Sequence, residues 1–161
     1  MNIFDYAMKM EKDGEAYYRE LAKKSSDKGL ARIFTLLADE EVRHFDIFLR
    51  MKTGKAKVLD TPILANVKNI FEEMTQKGDS FDFDADQVDS YRKAQEIEKK
   101  SEDFYREKAE EVKDESQKEN LLKIADEEKH HFLILEGIID FIRRPQQWLE
   151  DAEWSNIGRE Y

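Results

Sequence analysis

The chain has 161 residues, the length of one domain, and a formal net charge of −10 with 40% of residues charged, so nucleic acid and anionic membrane surfaces, which reward clustered Lys and Arg, are not expected as partners. It contains no cysteine, which excludes disulfides, thiol chemistry and sulfur-ligated iron and leaves oxygen and imidazole nitrogen as metal-binding atoms. The two prolines and the abundance of Ala, Glu, Lys and Leu predict an all-α fold, and with no apolar run near the ~20 residues of a membrane span and an acidic amphipathic N-terminal segment, a cytoplasmic location is expected.

In chain order, Phe4, Ala7, Met8, Met10, Gly14, Tyr17, Tyr18 and Leu21 follow helical spacing until the polar break Ser25-Ser26-Asp27. A second helix is predicted from about Lys28 to Lys52 through Leu30, Ile33, Phe34, Leu37, Phe45, Phe48 and Leu49. Residues 53–85 read as a connector, with Thr61 and Pro62 as N-cap and first residue of a short helix to about Gln76. Gly78 to Asp84 reads as loop, and Asp84 or Asp86 as the cap of a third long helix. The last hairpin breaks near Lys113 to Ser116 and stops before Pro145, which cannot continue a helix. The expected architecture is a four-helix bundle over residues 1–144, with a long crossover between its second and third long helices. Residues 145–161 form a tail whose Trp148 and Trp154 are candidates for a homodimer contact.

The chain also repeats itself. Residues 2–50 align without a gap on 89–137, and about a third of the pairs are identical. Ala7, Glu11, Lys12, Glu15, Tyr18, Arg19, Glu20 and Ala22 recur as Ala94, Glu98, Lys99, Glu102, Tyr105, Arg106, Glu107 and Ala109. The stretch Ala38-Asp39-Glu40-Glu41 with His44, Phe45 and Ile47 recurs as Ala125-Asp126-Glu127-Glu128 with His131, Phe132 and Ile134.

Within that second block, Glu41 and His44, like Glu128 and His131, form Glu-x-x-His, which sets a carboxylate and an imidazole about 60° apart around a helix and ~4.5 Å along it. One such pair on a Glu-rich helix is an incidental histidine on a solvated face; two at the same repeat position, using two of the three histidines in the chain, point to metal. Glu11 and Glu41 flank the first break at similar distances, so both carboxylates lie ~20 Å from the turn on adjacent helices, and Glu98 and Glu128 repeat this. Glu11 and Glu98 stand among apolar neighbours, where an unpartnered carboxylate costs several kcal/mol. Four carboxylates carry four negative charges, which two divalent ions cancel. One Glu from each of two helices and a Glu-x-x-His from each of the other two is the ligand set of ferritin-like di-iron and di-manganese proteins. Iron, manganese and zinc all suit such donors.

The stretches AMKMEKDGEAYY, LADEEVRHF, AQEIEKKSEDFY and IADEEKHHF together resemble the rubrerythrin-like di-iron domain of the ferritin-like superfamily over roughly residues 2–143. The resemblance implies two iron ions, with Glu41 and Glu128 bridging them, Glu11 and Glu98 as terminal ligands, and His44 and His131 supplying nitrogen. It implies reduction of hydrogen peroxide or dioxygen. Full rubrerythrins carry a cysteine-ligated rubredoxin-type domain; this chain lacks the cysteines, so an external electron-donor protein is expected. They also carry a further glutamate three residues after the terminal ligand of the third helix, and Ser101 stands there, with Glu102 turned about 100° away. Iron handling of the ferroxidase type, and a structural or regulatory metal-binding bundle, are the rival readings.

Around the ligands, Tyr18 and Tyr105 either hydrogen-bond a ligand carboxylate, relay an electron, or pack with a satisfied hydroxyl. Glu40 and Glu127 either accept a hydrogen bond from the histidine of a neighbouring helix or sit solvated or ion-paired. His130 has no repeat counterpart, Arg43 being in its place, and is expected at the surface.

Overall fold

The computed structural model describes residues 2–76 and 85–143. Its long helices are α1 (Ile3–Lys24), α2 (Lys28–Thr53), α4 (Val88–Glu111) and α5 (Glu115–Arg143); α3 (Ile63–Gln76) lies between α2 and a 3-10 turn at Ala85–Gln87. The fold is an all-α, ferritin-like bundle. Among the described residues no helix is long and apolar enough to cross a membrane.

Each hairpin turns on an aspartate at the same repeat position. Asp27 caps α2 by accepting from the Leu30 amide at 3.0 Å, and Asp114 accepts from the Gln117 amide at 3.0 Å to start α5. A short side-chain acceptor satisfies an amide that the first turn leaves without a partner. Asn2 does the same for α1 through the Asp5 amide at 2.8 Å, while Lys23 and Lys24 face the negative end of the α1 dipole.

Ion pairs and hydrogen bonds fix the helix directions. Arg19 meets Asp39 and Lys52 meets Asp5, so α1 and α2 are antiparallel. Tyr18 meets Glu98 and Tyr105 meets Glu11, so α1 and α4 are antiparallel too. Helices α2 and α4 therefore point the same way. After α2 the chain passes Asn120, which donates to the Ala56 carbonyl, and Arg43, which donates to the Leu59 carbonyl. Helix α3 then packs along α2, with Arg32 on Glu73 and Met74 against Gly29.

The core lies in two apolar clusters. One gathers Tyr18, Ile33, Phe34, Leu37, Tyr91, Ile134 and Ile138, with Phe71 and Met74 of α3 laid over it. The other gathers Ala7, Phe48, Met51, Tyr105, Leu121 and Ile124. Along every long helix the candidate ligands fall between members of these two clusters, which leaves a polar layer enclosed by apolar ones.

Four local expectations change. Helix α3 begins at Ile63, one residue after Pro62, whose carbonyl accepts from the Asn66 amide at 2.9 Å, while Thr61 supplies the capping side chain, its Oγ1 accepting from the Ile63 amide at 3.3 Å. Asp86 sits inside the 3-10 turn, and Gln87 holds the N-cap position of α4 without a side-chain hydrogen bond. Leu49 is 43% exposed while Ile47 is buried, because Ile47 stands three residues after His44 on the inward face. His130 is half-buried. The loop expected over Gly78 to Asp84, the alternative cap Asp84, and the tail with Trp148 and Trp154 lie outside the described residues.

Asp27→Ala and Asp114→Ala are each expected to lower stability by about 1 kcal/mol, read as a shift in the urea midpoint with unchanged slope. Asparagine at either position should restore most of the loss, since its side-chain oxygen accepts the same bond.

Candidate metal centre

Glu11 enters the centre of the bundle from α1, Glu41 and His44 from α2, Glu98 from α4, and Glu128 and His131 from α5; none of them is more than 3% exposed. They form two overlapping groups, Glu11-Glu41-His44-Glu128 and Glu41-Glu98-Glu128-His131, and within each group one donor atom per residue lies within 4.8 Å of the others. Glu41 and Glu128 belong to both. The imidazoles stack at 5.7 Å between centroids, 13° from parallel. The structure thus gathers all six sequence candidates, and the pairings obey the internal repeat: His44 Nδ1 lies 3.4 Å from Glu11 Oε2, and His131 Nδ1 lies 3.5 Å from Glu98 Oε1.

Each outer carboxylate is tied down by a tyrosine of the other hairpin. Tyr18 donates to Glu98 Oε1 at 2.5 Å and Tyr105 to Glu11 Oε1 at 2.6 Å. The opposite oxygens, Glu98 Oε2 and Glu11 Oε2, form no hydrogen bond, and neither do Glu41 Oε1, Glu128 Oε1 or the Nδ1 atoms of both histidines. His44 Nδ1 is only 2.9 Å from Glu128 Oε1, but without hydrogen-bond geometry. Buried polar atoms without partners are rare and costly. Here each of the six clustered side chains keeps at least one such atom, and together they make the donor set that a hard or borderline cation would take up. The residues present fit a metal.

Protonation follows from the crowding. Burial, then the charges of Glu11, Glu128 and Glu98, hold the Glu41 carboxyl well above its usual range; burial, then Glu11 and Glu98, does the same to Glu128. Burial would lower the His131 imidazole, but Glu98, Glu40 and Glu128 override it and push it up to about 10. His44 is likewise raised by Glu11, Glu127 and Glu128 against its burial. Burial and the neighbouring carboxylates raise Tyr18 and Tyr105, so both remain phenol donors.

Behind the histidines, His44 Nε2 donates to Glu127 Oε1 at 2.8 Å, and His131 Nε2 lies 3.8 Å from Glu40 Oε1. The expectation that Glu40 and Glu127 face the histidine across the bundle thus describes a hydrogen bond at His44 and a longer approach at His131. Burial would raise Glu127, but His44 and Arg43 hold it down to about 2. Ser101 is buried without offering a carboxylate, and Glu102 turns to Arg106 at 2.8 Å.

Two residues around the cluster went unassigned in the sequence. A Cβ on Gly14 would meet Glu41 Oε2 at 2.9 Å, so a side chain there would push the Glu41 carboxylate from its present place. Arg43 forks onto Glu127 at 2.6 and 3.2 Å. The signal for Gly14 was its repeat position, shared with the equally small Ser101; for Arg43 it was the mismatch with His130. A cavity of about 90 Å³ between α1 and α2, lined by Glu11, Lys12, Glu15, Glu41, Val42 and Phe45, reaches the cluster.

Metal-free protein is expected to lose stability as pH rises from 6.5 towards about 10. A group whose folded pKa is raised stabilises fully below its unfolded value and loses that contribution through the folded one; the raised His44, Glu41 and Glu128 act in the same sense. Glu127 has the opposite sign, and its contribution fades as pH falls from 4.5 to about 2. Urea unfolding of chelator-treated protein checks both limbs. A midpoint that climbs with pH on the alkaline limb would contradict the assignment.

A family model described as Rubrerythrin matches residues 2–139. Comparison with curated proteins and with solved structures returns no match. Because the match spans both hairpins and the whole buried Glu/His cluster, the chain belongs to the rubrerythrin family.

Proposed function

We propose that the chain is a di-iron carboxylate redox protein that reduces hydrogen peroxide or dioxygen with electrons from a separate protein. The observation that carries this reading is the pair of donor groups sharing Glu41 and Glu128, with an unpartnered buried atom on each of the six side chains. Glu41 and Glu128 would be shared between the two metals, Glu11 and Glu98 would be terminal ligands, and His44 and His131 would supply nitrogen through Nδ1. Two irons bound there would supply one electron each to the oxidant, passing from ferrous to ferric.

The protein's own part is orientation and exclusion. Tyr18 and Tyr105 each hold one oxygen of a terminal carboxylate, Glu98 Oε1 and Glu11 Oε1, which fixes how that carboxylate stands in the layer. The apolar clusters on both sides keep bulk water from the layer, and the missing side chain at Gly14 leaves Glu41 room beside α1. The cavity at Lys12 and Val42, about 90 Å³, suits a molecule the size of peroxide or dioxygen better than a bulky organic substrate. With no cysteine in the chain, no iron–sulfur relay is built in.

Iron handling is the second reading, and Ser101 favours it. A buried hydroxyl stands where the family's peroxidases place a carboxylate. The two readings divide on turnover.

Elemental analysis is expected to find about two irons per chain, and anaerobic diferrous protein in stopped flow should oxidise faster with peroxide than with air. Glu41→Ala removes a bridge and should reduce both metal content and rate. An equal rate with air and peroxide, together with continued oxidation far beyond two irons per chain, would give the function to iron handling; full metal content and rate in Glu41→Ala would put the chemistry elsewhere.

A further inference from the structure

The centre repeats itself at nearly every position, but not behind its two histidines. Applying the repeat to the pair His44 and Glu127 yields His131 and Glu40. The first pair is a hydrogen bond at 2.8 Å; the second stands at 3.8 Å, and His131 Nε2 and Glu40 Oε1 both lack a hydrogen bond. What differs is the residue before the histidine. Arg43 Nη1 donates to Glu127 Oε1 at 2.6 Å and Nη2 to Glu127 Oε2 at 3.2 Å, while Nη2 also donates to the Leu59 carbonyl. Toward Glu40, on its own helix, Arg43 comes no nearer than 3.7 Å. The repeat position on α5 is His130, whose imidazole cannot fork onto a carboxylate as a guanidinium does.

Arg43 therefore fixes the carboxylate that fixes His44. Held through Nε2–H, the His44 ring keeps its Nδ1 between Glu11 and Glu128, 3.4 and 2.9 Å from their oxygens. The His131 ring is buried too, but its Nε2 stands 3.8 Å from Glu40 and lacks the short hydrogen bond that holds His44. Carboxylates that orient a ligating imidazole typically contribute a factor of roughly 10–100 in metal affinity.

We propose that Arg43 is a positioning residue that makes the two metal positions unequal: the position of Glu11, Glu41, Glu128 and His44 binds first and holds tightly, and the position of Glu41, Glu98, Glu128 and His131 is the exchangeable one. The inference rests on the two-metal reading above. It assigns any gain and loss of metal in working protein to the His131 side.

The test uses the full chain, stripped with chelator and titrated with Co²⁺, followed by visible absorption and by chelator-driven release. Wild type should show two steps, with the slow-release ion lost in His44→Ala and retained in His131→Ala. Arg43→Ala should weaken the tight step roughly 10- to 100-fold and leave the weak step in place, so that the steps converge. Glu127→Gln should act like Arg43→Ala, and Arg43→Lys, a single cationic donor without the fork, should recover part of the difference. Repulsion between two bound cations would also split the steps, but that splitting would survive Arg43→Ala undiminished, and such a result overturns the proposal. Equal loosening of both steps overturns it as well. If Arg43→Ala loses helical circular dichroism, Glu127→Gln and Arg43→Lys decide the matter, and a step separation unaltered in both overturns the proposal. Binding of fewer than two cobalt ions by wild type, in contrast, would remove the two-metal reading itself.

Discussion

Four carboxylates share one dry cross-section of this bundle, and the rest of the structure is arranged around that fact. Two unit charges about 4 Å apart in surroundings of effective dielectric ~20 repel by about 4 kcal/mol, and whole domains are stable by only about 5–15 kcal/mol. Glu11, Glu41, Glu98 and Glu128 cannot all be ionised there without countercharge. Without metal, protons serve, which is why Glu41, Glu128 and both histidines are shifted upward. Divalent cations would displace those protons and neutralise the cluster, coupling metal affinity to pH and to folding.

The surrounding architecture keeps that layer dry and its members in place. Apolar clusters lie on both sides, and the tyrosines that hold Glu11 and Glu98 also pack into them: Phe48 meets Tyr105 with ring centroids at 5.1 Å, and Tyr18 belongs to the other cluster. Each tyrosine reaches from one hairpin to the other, so docking of the hairpins and orientation of the terminal carboxylates are one event. Arg19 and Arg106 repeat the arrangement at the rim, each linking its own helix to Asp39 or Asp126 on the next. These are partly exposed pairs, each worth about 0–1 kcal/mol, and they set register more than stability.

Symmetry is broken where the chain has only one copy of something. Two matching hairpins need a single connection between them, and that connection passes α2 at Leu59, where its carbonyl takes a hydrogen bond from Arg43. On the α5 side the matching place in the repeat is His130, a half-buried imidazole. The unequal treatment of the two histidines follows from this geometry as much as from the substitution.

The sequence by itself determined the helices and the donor set, because both are periodic: apolar spacing selects a helical face, and the repeat of Glu-x-x-His with its partner glutamates marks that face twice. The spacing shared by the two hairpins also placed Tyr18, Tyr105, Glu40 and Glu127 near the centre, without saying which carboxylate or imidazole each would meet. Only the tertiary structure decided that. Tyr18 bonds Glu98 and not its own Glu11, and Glu127 holds His44 and not its neighbour His131, since these pairings depend on how one hairpin lies on the other. The same holds for Gly14, whose missing side chain has meaning only once Glu41 arrives from α2, and for Arg43, whose role depends on a carboxylate from α5 and a carbonyl from the segment after α2. Contacts within a helix are set by spacing along the chain; contacts between helices are set by packing angle and register, which one sequence read along its length does not contain.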